Sequence, residues 1–157
     1  MSDSYIPEDE WETIVSNVPI VSVDLVVLYD GGVVLGKRTN QPAKGEWFVP
    51  GGRVHKHERL REAVHRIAQK ELNVEVEIQE SLGSYEHFYE VSDVDGSDGK
   101  HYVAHGFVVT PTRDVGLGRD DQHADVRVFE FSELPSDLHE YPKSYLEDAE
   151  VLDSTIQ

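Results

Sequence analysis

Residues 51–72, GGRVHKHERLREAVHRIAQKEL, join two glycines to a strongly one-sided helix. No other run so limits what the chain can fold into. At about 100° per residue, Leu60, Ala63, Val64, Ile67 and Ala68 form one apolar stripe. Glu71 falls near the middle of that stripe and Leu72 at its edge, while Glu62, Gln69 and Lys70 point elsewhere. The pattern predicts a helix over roughly 58–72, with Asn73 as a left-handed C-cap. Its stripe must lie on a core. A carboxylate on a buried face is costly unless it is paired or binds a metal. Taken alone, such a glutamate more often marks a last turn emerging into solvent.

The rest of the chain alternates short strands with few helices. EDEWETIVS, 8–16, predicts an N-terminal helix ending before Pro19. VSVDLVVLY is a strand, DGG a hairpin turn and VVLGKR the returning strand. TNQPAKGE has turn chemistry, and WFVPGG is a short strand closing on a proline and two glycines. VEVEIQESLGSYEHFYEV, HYVAHGFVV and DVRVFEF supply further strands. SDVDGSDGK is an acidic, glycine-rich loop, and SYLEDAEVL a closing helix. The expectation is one domain over 1–157, an α/β/α sandwich with a mixed β-sheet.

Composition narrows the function classes. There are no cysteines, so disulfide and thiolate chemistry are excluded. No apolar run approaches the ~18 residues of a membrane span, and no signal-peptide core is visible; a cytoplasmic protein without a membrane partner is expected. Thirty-one acidic residues face 14 basic ones, a net charge of −17. That disfavours a nucleic-acid partner. The excess is similar to the surfaces of halophilic proteins, and an ordinary acidic surface explains it equally well. The bases are segregated. Residues 37–70 hold nine bases against Glu46, Glu58 and Glu62, a net +6, so the remainder carries −23. Such clustering suggests a seat for an anion, although Arg59 and Arg61 read as a solvated helix face.

Glycines before the helix let a bound group approach the backbone. Arg53 offers a planar fork for phosphate oxygens. A hard cation takes oxygen ligands and bridges to substrate phosphates. Basic residues, close backbone and a sheltered carboxylate together suggest a metal–pyrophosphate site.

The same stretch resembles a Nudix box: G, five residues, E, seven residues, then REUXEEXGU with U apolar. Gly52, Glu58, Arg66, Glu71 and Val74 fit that spacing. Three positions depart from it: Ile67 and Lys70 stand where the box has glutamates, and Asn73 where it has glycine. The lost glutamates bind metal or poise water for attack at phosphorus, so a chain without them is inactive or uses other chemistry. One branch shares the departures, GDP-mannose mannosyl hydrolase. The resemblance extends through VSVDLVV, LGKRTNQPAKGEWFVPGGRV, EHFYE, HYVAHGF and DQHADV.

The resemblance implies a Nudix fold and inverting attack of water at the anomeric carbon of a GDP-hexose (GDP-mannose or GDP-glucose), releasing GDP and free sugar. It implies Mg²⁺, with Mn²⁺ as the alternative, held by the Gly51 carbonyl, Glu71 and Gln122. His123 becomes the general base, since a histidine is largely neutral near pH 7. Arg38 and Arg53 steady charge on the departing GDP. Asp24, which alternates out of step with Val23 and Leu25, joins His87 and Tyr102 near the substrate. Glu58 and Arg66 order the site from behind. Each has a plainer reading as a surface or sheet residue. The family's habit of pairing leaves a homodimer open. Two rivals remain: a pyrophosphohydrolase of a nucleoside diphosphate derivative such as ADP-ribose, attacking phosphorus, and a nucleotide-sugar sensor without turnover.

Overall fold

The computed structural model describes residues 5–39, 43–92, 99–113 and 126–151. The first predicted strand, β1, runs Ile20–Tyr29. Its residues alternate between two cores: Val23, Leu25 and Val27 enter one, Val26 the other. Burial on both faces explains why its sequence is nearly continuously apolar.

Around β1 the chain builds α1 (Glu8–Asn17), β2 (Gly32–Lys37), β3 (Trp47–Phe48), β4 (Gly51–Arg53) and α2 (Leu60–Leu72). Next come β5 (Val76–Tyr89), β6 (Lys100–Pro111), β7 (Val126–Glu130) and α3 (Glu140–Asp148). The sheet order is β3-β2-β1-β6-β5, with β4 also pairing β1 and β7 pairing β2. β1 and β6 are parallel, whereas β1–β2, β1–β4 and β5–β6 are antiparallel, so the sheet is mixed. Strand β1 serves two neighbours on one side. Ser22–Asp24 pair with β4, and Leu28–Tyr29 pair with β2. The hairpin turn is Asp30 (φ 54°) and Gly31 (φ 78°), the positive-φ pair that a two-residue Asp-Gly hairpin requires.

α2 lays Ala63, Val64, Ile67 and Ala68 against Val23, Leu25, Val27, Phe107, Val109 and Val128 on one sheet face. Its C-terminal end is closed as the sequence suggests, and its N-terminal end by a bond the sequence reading did not name. The Arg59 N–H donates to Glu62 Oε1 at 2.8 Å, and Asn73 takes the left-handed conformation at φ 55°. On the opposite face Tyr145 and Leu146 of α3 pack with Val26, Val33, Leu35, Trp47, Val49 and Val108. Helices thus cover both faces of the mixed sheet, the expected α/β/α sandwich.

Three boundaries differ from the sequence reading. WFVPGG is two short strands, because Gly51 and Gly52 themselves pair with Asp24 and Val23 of β1. The β5 segment is one long strand with irregularities at Ile78/Glu80 and Ser81/Gly83. α3 begins at Glu140, earlier than predicted. The His139 side chain accepts from the Tyr141 N–H, and Pro142 is tolerated in a first turn. Most of the acidic loop, 93–98, lies outside the described residues.

Candidate functional site

Two adjoining clefts open where β1, β2, β4 and α2 meet. The first, about 260 Å³, is lined by Lys37, Arg38, Gly51, Glu71 and Leu72 among others. The second, about 210 Å³, is lined by Trp11, Ser22, Asp24, Arg38, Phe48, Gly51, Arg53, Tyr89 and Tyr102. They share Arg38, Phe48, Val49 and Gly51, so those four residues form the wall between them.

Glu71 reaches the first cleft from the last turn of α2, whose next residue, Leu72, is still in the core at 7% exposure. One turn earlier, on the same stripe, Ile67 is buried at 2% exposure. Glu71 itself is exposed. The sequence placed it facing the interior; the structure places it on a cleft wall open to solvent, beside Leu72.

The backbone at Gly51 faces the same cleft. β4 pairs with β1 through Pro50 O, which accepts from the Leu25 N–H, and the Val54 N–H, which donates to Val21 O. Carbonyls alternate along a strand, so the Gly51 carbonyl points away from β1. The Arg53 carbonyl, on the same outer side, accepts from Arg66 Nη2 at 2.8 Å. Glycine is required at 51 by contact rather than by dihedral. A Cβ there would meet Asp24 Oδ1 and, at 2.8 Å, Val23 O. A Cβ at Gly52 would stand 3.3 Å from Ile67 Cδ1, so that glycine lets α2 approach β4.

Glu58 and Arg66 form a two-point ion pair, with Nε–Oε2 at 2.7 Å and Nη2–Oε1 at 3.1 Å. Glu58 Oε1 also accepts from the His55 N–H at 2.9 Å. Burial pushes the Glu58 carboxyl up, and the bonds from Arg66 and His55 outweigh it, leaving it below the usual range. The pair ties the β4–α2 connection to α2 and the Arg53 carbonyl, an ordering task carried out behind the cleft.

Asp24 is the sheltered carboxylate of the second cleft. Its Oδ2 accepts from the Tyr145 hydroxyl at 2.6 Å. Burial pushes its carboxyl up to about 6, against the opposing pull of the Tyr145 bond and the Arg38 charge. The Arg38 guanidinium lies 5.4 Å from the Phe48 ring centre, and that of Arg53 5.7 Å from Trp11. Lys100 stands 5.2 Å from Trp11 and 5.3 Å from Tyr102, and the Tyr89 and Tyr102 rings meet edge-on at 6.0 Å. A cleft combining flat aromatic surface, cationic groups and one carboxyl suits a nucleoside or sugar carrying phosphate.

His87 lies elsewhere. It is 4% exposed, stacked on Tyr141 at 4.0 Å, and lines neither cleft. The start of α3 brings Tyr141 over it. Burial, helped by His139, pushes its imidazole down to about 4. Asp24, Arg38, Gly51, Arg53, Glu71 and Tyr102 are thus brought together, with Glu58 and Arg66 behind them and His87 set apart. Gln122 and His123 lie outside the described residues.

Trp11, Phe48, Tyr89 and Tyr145 were not singled out in the sequence. Trp11 arrives from α1, Tyr89 from β5 and Tyr145 from α3, each from a different element than Asp24. One signal was available: Ser22 and Asp24 interrupt an apolar strand on the same face, marking a polar floor that needs walls.

Among the described residues, no three His, Cys, Asp or Glu side chains gather as a metal site. Glu71 and the outward Gly51 carbonyl supply two hard oxygen donors on one cleft. That donor set suits Mg²⁺ or Mn²⁺ if further oxygens come from substrate phosphate or from residues such as Gln122.

The sandwich, the glycine-led helix and its cleft-facing glutamate define a Nudix protein, and a family model, the NUDIX domain, matches residues 18–149. The chain belongs to this family of hydrolases, which typically work on nucleotide derivatives with divalent metals. It is 54% identical over 143 residues to "Low-salt glycan biosynthesis protein Agl8" of Haloferax volcanii, covering 90% of this chain and 89% of that one. It is 29% identical over 127 residues to an "ADP-ribose pyrophosphatase" of Methanocaldococcus jannaschii, covering 80% of this chain and 70% of the other. Among solved structures, a MutT NUDIX hydrolase from Burkholderia pseudomallei superposes with a TM-score of 0.67 at 27% identity, covering 83% of this chain and 97% of that one. No helix among the described residues is long and apolar enough to cross a membrane.

Proposed function

We propose that this protein is a Mg²⁺-dependent hydrolase of a GDP-hexose, releasing GDP and free sugar by inverting attack of water at the anomeric carbon. One observation carries the reading. Of the Nudix-box positions that bind metal or poise water, Glu71 alone keeps a carboxylate at the cleft, because Ile67 is buried against Gly52 and Lys70 is a cation. A site stripped in this way holds a metal beside a pyrophosphate but lacks the carboxylates for attack at phosphorus. The glycan role in the name of the Haloferax relative supports a sugar nucleotide.

Glu71, the Gly51 carbonyl and Gln122 would hold the ion. Bound there, Mg²⁺ would neutralise the pyrophosphate and make it a better leaving group. Arg38 and Arg53, at the shared wall and in the second cleft, bind the departing diphosphate as its charge grows. Trp11, Phe48, Tyr89 and Tyr102 take up the flat face of the nucleoside and exclude water. Asp24 accepts a hydroxyl of the bound substrate. His123 is assigned the proton of the attacking water, an assignment that rests on the resemblance of DQHADV. His87 supports Tyr141 rather than touching substrate.

A second reading, pyrophosphate cleavage at phosphorus, is favoured by the ADP-ribose pyrophosphatase relative. A panel of nucleotide sugars with Mg²⁺, products resolved by mass and anomer, separates the two. Free hexose of inverted configuration plus GDP supports the proposal. Hexose phosphate plus a nucleoside monophosphate overturns it.

A further inference from the structure

Asp24 is held by residues that come from three elements. Its register partner across the parallel β1–β6 ladder is Gly106. A Cβ on Gly106 would stand 2.8 Å from Tyr145 Cε1 and 2.9 Å from Cδ1. The missing side chain therefore makes the slot in which the Tyr145 ring lies. Tyr145 is wholly buried, 0% exposed, and Tyr85 packs edge-on against it at 4.6 Å. From this slot its hydroxyl donates to Asp24 Oδ2 at 2.6 Å. The other carboxyl oxygen, Oδ1, is the atom pressed toward Gly51. The carboxyl is thus fixed at both ends, one oxygen bonded from α3 and the other against the wall shared by the two clefts.

We propose that Tyr145, seated in the slot left by Gly106, is a positioning residue for the substrate-binding site, holding the Asp24 carboxyl in the orientation that meets the ligand at the Gly51 wall. The inference rests on the reading of Asp24 as a substrate contact. A phenolic hydroxyl suits the task. Burial and the nearby Asp24 charge push the Tyr145 hydroxyl far above its ordinary range, so it remains a donor at any working pH. The bond also settles which Asp24 oxygen is committed: Oδ2 is engaged by Tyr145, while Oδ1 lies at the Gly51 wall. A buried residue of α3 that lines neither cleft thereby sets the geometry of a cleft walled mainly by β1 and β4.

The test is a double-mutant cycle of Tyr145→Phe and Asp24→Asn, with thermal midpoints measured alongside. Phenylalanine keeps the ring in its slot and removes only the donor. The cycle is read as kcat/KM on whichever nucleotide derivative the wild type hydrolyses fastest, or as Kd for one that binds without turnover. A hydrogen bond to a charged group is worth enough for about a tenfold loss in Tyr145→Phe. In the Asp24→Asn background the same change should cost less than about twofold, because the two residues act as one unit. An unchanged Tyr145→Phe, or an equal loss in both backgrounds, overturns the proposal. If Tyr145→Phe does not fold, the Tyr145 hydroxyl proton is read by NMR in the wild type: protected from exchange and shifted by Asp24→Asn supports it, and free exchange overturns it. A best substrate other than a GDP-hexose would sink the substrate assignment and leave the cycle valid.

Discussion

Gly51 and Asp24 touch across the β1–β4 ladder so closely that a single carbon added to Gly51 would collide with the Asp24 carboxyl. One contact thus joins the cleft of Glu71 to the cleft of Trp11 and Tyr102. Gly51→Ala should force the carboxyl aside, at a cost of about 1–3 kcal/mol for overpacking. A fall in thermal midpoint with loss of ligand binding is expected. Wild-type stability and binding would show that the contact is loose.

Glu71→Gln keeps the shape of the cleft wall and removes a negative charge. Even outer partners of a metal ligand are worth about 10–100-fold in affinity, so Mg²⁺ binding by calorimetry should weaken at least about tenfold. The exposure of Glu71 makes a large change in folding stability unexpected. Unaltered metal dependence would remove Glu71 from the site.

His87 gives the fold a pH dependence. Its folded value, about 4, lies below the ordinary histidine value near 6.5. Between those limits the unfolded chain binds more protons than the folded one. The stabilisation is therefore complete above about pH 6.5 and is lost as the pH falls toward about 4. His87→Phe, which keeps a ring stacked on Tyr141, should flatten the fall in urea midpoint between pH 7 and pH 4.5. Parallel slopes for wild type and variant would contradict this.

The acidic excess predicts a response to salt. If it is an adaptation to high salt, activity should persist or rise in molar KCl. There the screening length is about 3 Å, and an anionic substrate is no longer repelled. Unfolding or precipitation at that salt, followed by scattering and circular dichroism, would count against the adaptation.

The fold was legible where one segment settles its own structure. The α2 stripe, the Asn73 cap and the Asp30–Gly31 turn follow from local periodicity and backbone preference. The site was legible in part, because Arg38, Gly51, Arg53 and Glu71 cluster in one stretch and Asp24 breaks an apolar alternation. Trp11, Tyr89 and Tyr145 were not, since their roles arise only when α1, β5 and α3 converge on Asp24. The setting of Glu71 was misread for a related reason: helical phase says which way a side chain points, but not whether the space it enters is filled or an open cleft.

The central claim, attack at carbon rather than phosphorus, is tested most directly by hydrolysing a GDP-hexose in ¹⁸O-water and weighing both products. The account predicts one ¹⁸O in the hexose and none in the GDP. Label in a phosphate group would contradict it.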